Sequence, residues 1–195
     1  MRNVCVLAVA LFALCPSRAH ALNWSLGANL GFTVIDPVED GDALTTFGWP
    51  SAGILNVVGT PGLRIGFAGE GAAAGVFIET SWMSLSSSGS SLTTATFTGN
   101  GIYAFPVSGS VQPFVTAGVG VAHFGDNDFF FTDASANSAI FGGGLGVQHR
   151  LGHGHGTLRA EVHYDHVSEG TDNGGTLIPA TNNIGLKLGF DLWMR

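Results

Sequence analysis

The chain has 195 residues, 30 of them glycine, with charged residues at only 11% and a formal net charge of −7. That acidic balance argues against nucleic acid as a partner, because a phosphate backbone is held by lysine and arginine. Cys5 and Cys15 are the two cysteines; a chain cleaved after residue 21 would have no disulfide, thiolate metal site or cysteine nucleophile.

In chain order, residues 1–21 read as a secretory signal peptide. Arg2 precedes the apolar run VCVLAVALFAL, and Ala19-His20-Ala21 is a small-x-small cleavage site. Cys15 offers a rival lipoprotein reading, but Leu14 stands where a small residue is expected. Residues 22–195 are then one mature domain. Beyond Arg2 and Arg18, only Arg64, Arg150, Arg159, Lys187 and Arg195 face all the Asp and Glu residues.

From Trp24, an apolar file (Trp24, Leu26, Ala28, Leu30, Phe32, Val34) alternates with Ser25, Gly27, Asn29, Gly31 and Thr33. Period two is the signature of a strand with two unlike faces. A second strand is expected from about Gly53 to Gly69, interrupted at Gly59–Gly62, which suggests a bulge. AGVFIETSWMSL, TATFTGNGIYAF, VQPFVTAGVGVAHF, AIFGGGLGVQHRL and TLRAEVHYDHV follow. In the last strand Ile184, Leu186, Leu188, Phe190 and Leu192 alternate with Gly185, Lys187, Gly189, Asp191 and Trp193.

Charges set among glycines opposite an apolar file suit a polar barrel lumen with lipid outside. The expected fold is therefore all-β: an eight-stranded antiparallel up-and-down transmembrane β-barrel. The short glycine-rich turns (GEGAA, PVSGS, GHGHG) belong on the periplasmic side. DPVEDGDALTTFGWPS, SSSGSS, GDNDFFFTDASANS and SEGTDNGGTLIPATN belong on the extracellular side.

Over the whole mature chain these segments resemble small outer-membrane barrels of the OmpA and opacity-protein type. VQPFVTAGVGVAHF looks like that family's Pro-aromatic strand, and AIFGGGLGVQHRL with LRAEVHYDH like its penultimate pair. Asn183, Gly185, Leu188 and Phe190 resemble the C-terminal signal read by the barrel assembly machinery, although the chain ends Trp193-Met194-Arg195. The resemblance implies an outer-membrane location after secretion, contact with membrane lipid and lipopolysaccharide, and a monomer without cofactor.

Parity assigns Arg64, Glu79, Arg150, Arg159, Glu161, Lys187 and Asp191 to the lumen. They read either as a charge network that plugs the barrel or as the gate of a narrow channel. Asp36, Glu39, Asp40, Asp42, Asp126, Asp128, Asp133, Glu169 and Asp172 form an acidic collar in the loops. The collar is simply hydrated, or bridges divalent cations to lipopolysaccharide. Phe129–Phe131 fall in a loop, and His153 and His155 in a turn with too few donors for a metal. The expected role is structural, or interaction with an extracellular partner through these loops.

VHYDHVSEG carries a third possibility. Parity sends His163 and Asp165 to the lumen, and Tyr164, His166 and Ser168 to the lipid face. A His-x-Ser pair at a barrel's outer rim resembles the lipid A 3-O-deacylase barrels, which use a serine, a histidine and a glutamate. The resemblance implies His166 as base for Ser168. Glu169 has the wrong parity and Asp172 falls in a loop; Asn182 or Asn183 is the nearest orienting group.

Overall fold

The computed structural model describes residues 22–38, 43–48, 62–69, 73–87, 89–127, 134–151, 155–172 and 175–194. The strands are β1 (Leu22–Pro37), β2 (Leu44–Gly48), β3 (Gly62–Gly69), β4 (Ala74–Ser87), β5 (Ser90–Ala104) and β6 (Val111–Asn127). They continue with β7 (Ala134–Leu151), β8 (Gly156–Val167), β9 (Gly170–Asp172), β10 (Gly175–Ile178) and β11 (Thr181–Met194).

Each long strand pairs antiparallel with its neighbours, and β11 pairs back onto β1, closing the sheet. One edge of β1 is shared: β3 pairs with Leu22–Asn29 and β2 with Gly31–Ile35. The two short strands together form the second stave of an eight-stranded antiparallel barrel. Following register partners around from Asp191, through Gly27, Arg64, Glu79, Thr98, Gly120, Ile140 and Val167, returns to β11 at Thr181, ten residues away. A stagger of that size over eight strands tilts them by about 40° to the barrel axis.

Alternation sorts the side chains. Leu26, Leu30 and Phe32 of β1 and Leu186, Leu188 and Leu192 of β11 are exposed on the outer surface. Ser25, Asn29, Thr33, Lys187 and Asp191 are buried in the lumen. Lipid-facing aromatics gather at two levels. Phe32, Trp82, Phe97, Phe141 and Tyr164 lie toward the loop end, and Trp24, Tyr103 and Phe105 toward the turn end. At ~3.3 Å per residue along strands tilted about 40°, the levels are roughly 20 Å apart, close to an apolar membrane band.

The lumen glycines make space for charge. Gly142, Gly144 and Gly146 of β7 face the lumen beside β8; a Cβ on Gly144 would stand 2.7 Å from Glu161 Cγ and from the Val162 carbonyl oxygen. A smooth strand thus stands next to a strand of long polar side chains.

Three expectations are corrected. The segment DPVEDGDALTTFGWPS, read as a loop, contains β2, held against β1, with Phe47 packed on Phe32 at 4.9 Å between ring centroids. The segment after β8 contains the β9–β10 hairpin. Asp126 is buried, because β6 keeps its alternation past His123 into what was read as a loop. β3 starts at Gly62, and Gly53–Pro61 lies outside the described residues, as do Glu39, Asp40, Asp42, Asp128, Phe129–Phe131, Asp133, His153 and the proposed signal segment.

Candidate functional site

β3, β4, β8 and β11 turn their charged files into one lumen layer. Glu79 is its centre, 1% exposed. Its Oε1 accepts from Asn29 Nδ2 at 2.8 Å and Arg64 Nη1 at 3.4 Å, and its Oε2 accepts from Lys187 Nζ at 3.0 Å. Asp191 Oδ2 accepts from Arg159 Nε at 2.8 Å, and Arg64 Nε stands 3.5 Å from Asp191 Oδ1. The Arg64 guanidinium also lies over the Phe77 ring, 3.2 Å from its centroid.

His163 extends the layer toward the loop end. Its Nδ1 is 3.0 Å from Glu161 Oε1 and its Nε2 is 2.6 Å from Asp165 Oδ2. With both carboxylates ionised, the imidazole between them donates from both nitrogens and carries a positive charge. Arg64, Arg159, Lys187 and His163 then oppose Glu79, Glu161, Asp165 and Asp191, four charges against four. Thr116 Oγ1 donates to Glu161 Oε1 at 2.6 Å, tying β6 to the layer.

Six of the seven residues assigned to the lumen by parity meet here. Arg150 does not: it is exposed at the turn end, beside a cavity of about 220 Å³ lined by Pro106, Val107, Ser110 and Gln112. Parity fixes the face a side chain points to but not its height, and Arg150 stands beyond the last carboxylate. Sequence reasoning also left unseen the apolar side chains that fill the loop end of the lumen among Thr94, Ser138, Thr181 and Asn183. Ile35, Leu92, Phe124, Ile140 and Val167 are buried on the lumen face at the loop end. Apolar residues at lumen parity near the strand ends were the available signal.

At the outer rim, His166 Nδ1 is 2.9 Å from Asn182 Oδ1, and its ring packs on Phe141 at 4.8 Å between centroids. The same Asn182 oxygen accepts from the Tyr164 hydroxyl at 2.9 Å. Ser168 Oγ accepts from the Ala139 N–H at 2.8 Å, so it continues the pairing with β7 past the end of β8 and is not hydrogen-bonded to His166. Among the described residues no carboxylate hydrogen-bonds His166. Asp36 is the register partner of Asn182, one strand further along, and makes no bond to it. Of the proposed assembly signal, Asn183 and Gly185 are buried in the lumen wall, while Leu188 and Phe190 face outward. No group of His, Asp or Glu suited to a metal occurs among the described residues.

A closed antiparallel sheet with lipid-type residues outside and charge inside is matched by the family described as the outer membrane protein beta-barrel domain, over residues 5–191. The chain belongs to the outer-membrane β-barrel family. No curated protein sequence matches it. Among solved structures, this barrel is similar to Neisserial surface protein A, with TM-score 0.63 at 12% identity, covering 87% of this chain and 96% of that one. Outer membrane protein H of Pseudomonas aeruginosa gives TM-score 0.56 at 17% identity, covering 89% of this chain and 100% of that one. Ail, the attachment invasion locus protein of Yersinia pestis, gives TM-score 0.54 at 13% identity, covering 89% and 99%. At these identities the likeness is one of fold.

Proposed function

We propose that this outer-membrane barrel is a non-conducting scaffold that presents an acidic outer end to an extracellular partner. The observation that carries this reading is the lumen: a layer of paired charges with a closely filled set of buried apolar and polar side chains above it. A bore filled by paired charges and buried side chains leaves an ion little room to pass. With transport disfavoured through the bore, function falls to the outside.

The loop end has one sign. Residues 38–61, 86–92, 125–139 and 168–183 contain no Lys, Arg or His, while Asp and Glu recur in three of these four stretches. Such an end attracts basic partners and repels polyanions. Ail was crystallised with the heparin analogue sucrose octasulfate; the charge here favours a ligand of the opposite sign.

The test is binding of the reconstituted barrel to immobilised polylysine and to immobilised heparin. Salt-sensitive capture by polylysine, lost when Asp36, Glu169 and Asp172 are changed to Asn or Gln together with the other outer acids, supports the proposal. Equal capture by heparin overturns it.

A further inference from the structure

Two histidines near the loop end are held in the same way. His123 on β6 and Asn137 on β7 are register partners, with Nδ1 3.0 Å from Asn137 Oδ1. His166 on β8 and Asn182 on β11 are register partners too, at 2.9 Å. An amide oxygen only accepts, so each imidazole donates from Nδ1. That leaves Nε2 as the free ring nitrogen, without a hydrogen-bond partner among the described residues. At His123 a glycine keeps this nitrogen open: a Cβ on Gly125 would come within 3.3 Å of it.

Both pairs lie on lipid-facing files. From the rise per residue and the tilt, the two imidazoles stand within about 4 Å of one height and just beyond the outer aromatics. This is the level of headgroups, not of acyl tails. Arg64, Arg159 and Lys187 are in the lumen and Arg150 is at the turn end. Outside the lumen, His123 and His166 are therefore the bases at this height, in a region whose connections carry none.

We propose that His123 and His166 are two binding sites for phosphate-bearing headgroups of the surrounding lipid leaflet. Each protonated imidazole donates from Nε2 to a phosphate oxygen, and Asn137 and Asn182 are positioning residues that aim the ring. The charged and titratable neighbours are few. Around His166 they are Tyr164 and Glu169 from its own chain segment, and Asp36 of β1 beyond Asn182. Phe141 of β7 is uncharged. Around His123, β5 offers Ala95, and Asp172 accepts from the Ser135 N–H at 3.2 Å, next along the face from Asn137. These carboxylates repel a free anion. A headgroup, by contrast, is kept at this height by its acyl chains and binds at high effective concentration. The sites depend on the barrel's place in the membrane and stand or fall independently of an extracellular partner.

The experiment reconstitutes the mature protein in phosphatidylcholine nanodiscs containing a minor fraction of phosphatidic acid. Bound lipid is read by native mass spectrometry below and above the imidazole titration range. Phosphatidic acid should be enriched at the lower pH, by about fivefold per site, and less so at the higher pH. Repulsion of the more highly charged phosphate by the acidic loop end runs in the same direction, so the histidine variants decide. His123→Gln and His166→Gln should each remove one site and the double variant both, while His149→Gln at the turn end changes nothing. Heat-modified gel mobility confirms that each variant is folded. Undiminished enrichment in the folded double variant overturns the proposal. So does loss of enrichment on adding inorganic phosphate, which would assign the pairs to the free anion.

Discussion

Replacing Glu79 by Gln tests whether the lumen is dry. The side chain is 1% exposed and takes hydrogen bonds from Asn29, Arg64 and Lys187. Glu79→Gln keeps the shape but removes the charge that Lys187 meets at 3.0 Å and Arg64 at 3.4 Å. Arg64 still has Asp191 nearby at 3.5 Å, whereas Lys187 loses its one salt-bridge partner among the described residues. Breaking a buried pair by removing one member costs about 3–5 kcal/mol. The expected loss lies in that range, read as a lowered urea midpoint at unchanged slope for the refolded barrel in lipid vesicles. Adding Lys187→Met should recover part of it, because both charges are then gone. A Glu79→Gln barrel within about 0.5 kcal/mol of the parent would refute the reasoning. The charges would then be solvated by a wet bore, and the channel reading would gain.

Three further outcomes are expected. The unaltered barrel should be silent in planar bilayers, and steps of conductance there would remove the plug. Gly144→Ala places a methyl group against Glu161 and the Val162 carbonyl, so it should lower stability by about 1–3 kcal/mol; a neutral effect in the same urea titration would show that β8 can shift. Ser168→Ala removes the acceptor for the Ala139 N–H, costing about 1 kcal/mol. It should leave lipid A acylation unaltered by mass spectrometry, and a changed acyl pattern dependent on Ser168 would restore the esterase.

Alternation made the barrel legible because lipid and lumen impose opposite demands on neighbouring residues. Parity alone put Glu79, Arg159, Lys187 and Asp191 on one surface. It could not say which would meet. Glu79 and Lys187 are 108 residues apart, and their contact depends on closure and on a ten-residue stagger that no local pattern encodes. Arg150 went astray for the same reason, since its face was right and its height was not. β2 has five residues, too few for a periodic signal, and gains its order from β1. Asp126 was recoverable, because Ala122, Phe124 and Asp126 continue one file. The His166–Asn182 pair was legible only as one of two candidate amides; the register chose between Asn182 and Asn183 by turning Asn183 inward.

The layer around Glu79 also bears on how the sheet enters a membrane. Its donors come from β1, β3 and β11, the beginning and the end of the chain. A half-assembled sheet would present Arg64, Glu79 or Lys187 to hydrocarbon without the opposing charge, which the bilayer resists. Strands cannot therefore settle into the membrane one at a time in stable form; the seam between first and last must close as the charges go in. Insertion and closure become a single event, and an open sheet lodged in lipid should never accumulate in a time-resolved folding experiment.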